Sequence, residues 1–178
     1  MQYLYNQNIK MRALEPEDLE ILYKWENDSS LWTVGNTLAP YSKYILREYI
    51  SESHRDIFDI KQLRLIIEDK KSRQSIGLID LFDFDPHHKR AAVGILISPD
   101  YQRKGFGTQT LNLLKEYAFS FLKLHQLYAH IPERNKASIQ LFQKIGFQKA
   151  GTLKDWLQTS DGFADVIIMQ LFNTHRNN

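Results

Sequence analysis

The sequence predicts an α+β fold, with helices packed on a mostly antiparallel sheet, and three observations predict it. Three β-rich runs follow one another between residues 62 and 98, separated by short polar turns. From Thr108 the apolar spacing changes to a helical period. A second helical run, closed by a glycine, then leads into two further strand-like segments.

Taken in order, Ile9, Met11 and Ala13 alternate with Lys10 and Arg12, the period of a half-buried strand. Pro16 with Glu17 and Asp18 makes a helix first turn, and Leu19, Leu22 and Trp25 supply its buried spacing. A second helix is predicted from Ser42, carrying Tyr44, Ile45, Tyr49 and Ile50, and the polar and aromatic stretch 27–41 before it reads as loop. The runs 62–68 and 75–84 form a hairpin around 69–74. Asp85-Pro86 turns the chain into a third strand over 91–98, which Ser98-Pro99-Asp100 ends. Leu111, Leu114, Ala118, Phe121 and Leu122 then share one helical face. Residues 127–131 form a strand, 135–145 a helix stopped by Gly146, and 147–151 and 164–172 the closing strands.

A length of 178 residues without repeat or linker fits one domain over 1–178, since domains average roughly 150 residues. With 43% hydrophobic and 25% charged residues the chain is globular, which excludes disordered and fibrous classes. The absence of cysteine removes disulfides, thiolate metal sites and a cysteine nucleophile. A formal charge of +2 is too balanced to announce nucleic acid as the partner. No apolar run approaches the ~18 residues of a membrane helix, so a cytoplasmic protein without a membrane partner is expected.

The stretch Gln102, Arg103, Lys104, Gly105, Phe106, Gly107, Thr108 leaves a strand and enters an amphipathic helix. Glycines permit close approach, helix-start amides point outward, and the helix dipole favours an anion there. Arg103 and Lys104 add charge, so the pattern suits a pyrophosphate. It is not a dinucleotide fingerprint, because Thr110 holds the third glycine position, and it lacks the Gly-Lys-Ser/Thr of a P-loop.

Gln102-x-x-Gly105-x-Gly107 after a strand, followed by Asn135-x-x-Ser138-Ile139-x-Leu141-Phe142-x-Lys144-Ile145-Gly146-Phe147, resembles the GNAT superfamily of acetyl-CoA-dependent N-acetyltransferases. The similarity runs over nearly the whole chain, and within the superfamily it points to the branch holding ribosomal-protein N-terminal acetyltransferases and spermidine acetyltransferases. The resemblance implies a mixed sheet splayed between its fourth and fifth strands, with helices on both faces. Acetyl-CoA would be the co-substrate and no metal would be needed. Its pyrophosphate would lie on the amides from Gln102 to Thr108, and its pantetheine arm along Ile95, Leu96 and Ile97. Asn135, Ser138, Leu141 and Phe142 would complete the cofactor site, with Asn135 equally suited to plain helix capping.

Acetyl transfer needs a neutral amine, a stabilised oxyanion and a proton for the departing thiolate. By analogy a strand amide, that of Leu96 or Ile97, donates to the oxyanion. Many relatives place a tyrosine where this chain has Phe142, which carries no proton, so water, Tyr101 or Tyr128 would have to serve. For the amine, Asp80 and Asp83 stand in an apolar strand, where a carboxylate needs a reason. Strand alternation sends them to opposite faces unless a bulge intervenes, and Asp83 aligns with an acidic position of the spermidine-type relatives. Asp155 matches an acidic position of the N-terminal acetyltransferase branch, and His87 and His88 read as exposed turn residues. Spermidine-type relatives carry a glutamate at the Ala92 position and acids in the loop at 35–40; both are missing here, which disfavours a polyamine.

The expected acceptor is the primary amine of a small molecule or a peptide. A polyamine acetyltransferase and a non-catalytic acyl-CoA-binding regulator stand as alternatives, and a nucleic-acid module is weakened by the small net charge. The oligomeric state is left open, a homodimer included.

Overall fold

The computed structural model describes residues 3–28 and 39–174. Its centre is a seven-stranded sheet in the order β1-β2-β3-β4-β5-β7-β6. These strands are β1 (Ile9–Arg12), β2 (Leu63–Asp69), β3 (Gln74–Asp85), β4 (Arg90–Ile97), β5 (Gln126–Pro132), β6 (Gln148–Thr159) and β7 (Gly162–Phe172). Every neighbouring pair is antiparallel except β4 and β5, which run parallel. That parallel pair is short. Arg90, Ala91 and Ala92 pair with Gln126, Leu127 and Tyr128, and the ladder stops there although both strands continue. The splay expected between the fourth and fifth strands is therefore present.

Among the described residues the helices are α1 (Leu19–Glu26), α2 (Lys43–Glu52), α3 (Ile57–Ile60), α4 (Phe106–Glu116) and α5 (Lys136–Ile145). They divide between the two faces of the sheet. Leu22 and Trp25 of α1 and Leu46 and Ile50 of α2 bury Ile66 and Leu78 on one face. Leu111 and Leu114 of α4 and Phe142 and Ile145 of α5 bury Ile67, Ile79, Leu81, Val93, Leu127 and Ala129 on the other. Alternation along each strand accounts for the split, since successive side chains point to opposite faces.

Local chemistry explains the boundaries. The Ser42 hydroxyl accepts from the Ile45 amide at 3.2 Å and starts α2, as its sequence position suggested. Asp18 accepts from the Glu15 amide at 2.9 Å and binds Arg12 with both oxygens, at 2.6 and 2.8 Å. Arg12 also reaches Glu68 at 3.0 Å, which ties the entrance of α1 to β1 and β2. The Asp18 and Glu68 bonds and charges outweigh partial desolvation and hold the Arg12 guanidinium well above its usual pKa. Gly146, at φ 108°, ends α5 in the left-handed conformation.

Several elements differ from expectation. Helix α4 begins at Phe106, two residues before Thr108. It runs into a π-helical turn over Tyr117–Phe121, which breaks the helical register and leaves Phe121 59% exposed. Strand β6 continues to Thr159 rather than ending near 151, because bulges at Lys149/Gly151 and Leu153/Leu157 interrupt the alternation without ending the pairing with β7. The short helix α3, capped by Asp56 on the Phe58 amide at 2.7 Å, carried no periodic signal. No helix among the described residues is long and apolar enough to cross a membrane.

Candidate active site

Where β4 and β5 part, a cleft of about 1310 Å³ passes through the sheet. It is lined at one end by Gln102, Arg103, Gly105, Gly107 and Thr108, and at the other by Trp25, Glu26, Arg64, Asp80 and Asp83. The gap itself exposes the β4 edge, along Val93, Ile95 and Ile97, and Ala129, His130 and Ile131 of β5.

The first end is built mainly by backbone. Gly105 caps α4 at φ 82°, and a Cβ added there would meet nothing within 4 Å. A ligand can therefore approach the chain closely at this point, beside the first amides of α4, which have no partner within the helix. Arg103 precedes it in the same left-handed region at φ 59°. The Gln102 side chain turns back and donates to the Ile97 carbonyl at 2.9 Å, which pins the turn to the strand. Lys104 lies over the Tyr101 ring at 5.4 Å, and Tyr101 meets Phe106 edge-on at 6.0 Å. Gly107 has a different reason from Gly105. It sits inside α4, where a Cβ would come within 3.1 Å of Leu141 and 3.8 Å of Ile97, so it lets α4 and α5 approach.

One expected donor is misplaced. The Leu96 carbonyl lies against Gly77, only 2.1 Å from where a Cβ on that glycine would sit, so it faces β3. The register pairs Leu96 with Leu78, and the Ser98 amide two residues on donates to Ile76 of β3 at 2.8 Å. Residues of one hydrogen-bonded antiparallel pair exchange both amide and carbonyl, so the Leu96 amide also belongs to β3. The edge facing the gap carries the backbone groups of Ile95 and Ile97 instead.

On α5 the Asn135 side chain accepts from the Ser138 amide at 3.1 Å, so it caps the helix while also lining the cleft. Leu141 and Phe142 form part of the cleft wall. Phe142 is at the same time 2% exposed and packs edge-to-face on Phe147 at 4.9 Å.

The second end is made of side chains from several elements. Arg64 of β2 grips Asp80 through Nε to Oδ1 at 2.7 Å and Nη2 to Oδ2 at 3.1 Å, and reaches Glu26 of α1 through Nη1. Desolvation works to lower the Arg64 pKa, but the charge and hydrogen bonds of Asp80, with Tyr49 and Glu26, outweigh it and raise it. The Tyr49 ring lies 5.3 Å under that guanidinium, and its phenol is pushed up to about 12, by burial first.

Asp83 joins Asp80 in the same cleft because β3 bulges. The pairing with β4 shifts between Phe82 and Asp85, and Asp83 takes φ 47°. The alternation resumes with Phe84 in the core beside Leu81, while Asp83 is exposed on the cleft. Tyr128 of β5 stands near enough to Asp83 to feel its charge. Burial, then the Asp83 charge, raises the Tyr128 pKa.

Other expected residues stand apart. The exposed Asp155 donates its amide to Asp165 at 3.0 Å at a β6 bulge with φ 48°. His88 is exposed and bonded to Asp85 at 2.8 Å in the β3–β4 turn, with His87 beside it. The loop at 35–40 lies outside the described residues up to position 38. Among the lining residues that were not singled out from sequence are Glu26, Arg64 and His130. His130 was discoverable: it alternates with the apolar Leu127, Ala129 and Ile131 on a strand expected to border the splay. No cluster of three or more potential ligands for a metal occurs among the described residues.

With this geometry in hand, comparison with known proteins is specific. The acetyltransferase (GNAT) domain family model matches residues 8–148. The spermidine N(1)-acetyltransferase of Escherichia coli K12 is 29% identical over 165 residues, covering 93% of this chain and 86% of that protein. The uncharacterised N-acetyltransferase p20 of Bacillus licheniformis is 25% identical over 172 residues, 96% of each chain. The crystal structure of spermidine N-acetyltransferase from Vibrio cholerae in complex with CoA and spermine superposes with a TM-score of 0.84 at 28% identity, over 94% of this chain and 96% of that one. The chain belongs to the GNAT acetyltransferase family and is an acetyl-CoA-dependent N-acetyltransferase.

Proposed function

We propose that the chain transfers the acetyl group of acetyl-CoA to a primary amine carrying a single positive charge, on a small molecule or a peptide N-terminus, with Asp83 receiving the ammonium. The observation that carries this reading is the division of labour between the two aspartates. Both oxygens of Asp80 are committed to Arg64, whereas Asp83 is delivered into the cleft by a bulge and remains exposed there. Charge sets the acceptor class. At this end Glu26, Asp80 and Asp83 face Arg64 and Lys61, which leaves one net negative charge, enough for one ammonium. A second reading, a polyamine acceptor, is favoured by the names of the relatives, since the E. coli protein is a spermidine acetyltransferase.

In this reading the pyrophosphate of acetyl-CoA rests on Gln102, Arg103, Lys104, Gly105, Phe106, Gly107 and Thr108, and the pantetheine arm follows Ile95, Leu96 and Ile97. Of the two amides the resemblance offers for the oxyanion, Leu96 and Ile97, that of Ile97 lies on the gap edge beside that of Ile95, and these take the role. Asn135, Ser138, Leu141 and Phe142 close the thioester end.

The test is thiol release from acetyl-CoA with a panel of amines that includes single-charge amines, amino-terminal peptides, spermidine and spermine. A single-charge amine is expected to give the highest kcat/KM, and a clear preference for spermidine would establish the second reading instead. Asp83→Asn is expected to lower kcat/KM about 10- to 100-fold, the worth of a charge-assisted hydrogen bond, while acetyl-CoA affinity is kept. Full efficiency in that variant would remove Asp83 from the acceptor site.

A further inference from the structure

We propose that His130 is the proton-transfer residue of the acetyl transfer, a role that rests on the acceptor reading above. Four observations converge on it. β5 continues past Tyr128, the last residue paired with β4, so His130 stands where the two strands have parted and lines the cleft. Leu127, Ala129 and Ile131 are buried on the α4–α5 face, so alternation sends Tyr128 and His130 to the α1–α2 face, the one that carries Asp80. The Tyr128 and His130 rings lie 5.6 Å apart, and the Asp83 charge acts on the Tyr128 phenol, so Tyr128 stands between the ammonium anchor and the imidazole. Finally, the pairing of His130 with Ile168 holds the residue on a rigid strand although its side chain is exposed.

Elimination points the same way. Asp80 is bound to Arg64 through both oxygens, Asp83 is assigned to the ammonium, and Phe142 has no proton to give. His130 is the one imidazole among the described residues lining the cleft, and imidazole can both accept and return a proton near neutral pH.

The step balances on this single group. The acceptor loses one proton to solvent and attacks as the neutral amine, forming the N–C bond and leaving a positive charge on nitrogen. His130 removes a proton from that nitrogen. The C–S bond breaks with its electron pair going to sulfur, and the imidazolium returns the proton to the thiolate. Amide and free thiol leave, and His130 is neutral again.

Chemical rescue separates this role from a structural one. His130→Ala, assayed with the amine that the wild type acetylates fastest, is expected to lose about 100-fold or more in kcat with acetyl-CoA affinity unchanged, and added imidazole should restore part of the rate. His130→Gln should show the same loss. A kcat for His130→Ala within threefold of wild type overturns the proposal, and so does a loss that imidazole leaves untouched. If the wild type acetylates no amine in the panel, the acceptor reading falls with it; if the wild type is active and His130→Ala equally so, this inference alone falls.

Discussion

The two ends of the cleft are built by different means. The end we assign to the cofactor is built chiefly on one stretch, the turn from Gln102 to Thr108 and the strand edge before it, where backbone amides and carbonyls would do the binding and α5 closes the site. The end we assign to the acceptor gathers Glu26 from α1, Arg64 from β2, Asp80 and Asp83 from β3, and Tyr128 and His130 from β5. A backbone site depends on dihedral angles and hence on glycine. A side-chain site depends on charge balance across separate elements, so one substitution can alter specificity or stability without touching the cofactor.

The sharpest way to break that contrast is at the two glycines. Gly105→Val places a branched side chain at φ 82°, in the open space beside the helix-start amides. It is expected to weaken acetyl-CoA binding at least 30-fold, about 2 kcal/mol, while the protein stays folded. Gly107→Ala should do much less, since its Cβ meets Leu141, a flexible side chain, at 3.1 Å. Calorimetric titration of both variants decides it, and a larger loss at Gly107 would shift the phosphate contact from the turn into the helix.

The same contrast explains what could be read from the sequence. The turn was legible because its residues are adjacent and the chemistry of Gly105, Asn135 and Gly146 is local: an open left-handed position, a cap on Ser138, and a helix stop. Gly107 was half read, because its contact with Leu141 is tertiary. The sequence left the Leu96 and Ile97 amides as alternatives because which edge of β4 faces the gap depends on its pairing with β3. The union of Asp80 and Asp83 was also out of reach. Alternation separates them, and only the bulge at Asp83, stored in backbone conformation rather than in residue type, brings them together.

A second prediction tests whether Asp80 belongs to the scaffold rather than to the chemistry. Asp80→Asn keeps one acceptor for Arg64 but removes its charge, leaving Glu26 as the remaining carboxylate bonded to that guanidinium. Breaking a fully buried pair costs about 3–5 kcal/mol, but both side chains here retain some exposure and one partner survives, so about 1–2 kcal/mol is expected. For a chain of this size that is a fall in Tm of about 3–6 °C. Thermal unfolding measures it directly. Unchanged stability combined with abolished turnover would exchange the roles of Asp80 and Asp83.

The smallest effect is expected at Phe142, where the side chain belongs to both worlds at once. Its ring is 2% exposed and leans on Phe147, yet it also contributes to the cleft wall. Phe142→Tyr adds a hydroxyl that must find a partner in the cleft or stand unsatisfied in the core, at a cost of about 1–3 kcal/mol. If His130 returns the proton to sulfur, a second donor is redundant, and kcat should stay within about threefold of wild type with Tm lowered by only a few degrees. Initial rates and a thermal melt of the same preparation separate the outcomes. A kcat rise above tenfold would mean that thiolate protonation limits turnover and that no protein group performs it in the wild type. A collapse of stability would place the far edge of the ring in the core, and the thioester would then have to lie nearer β4 than α5.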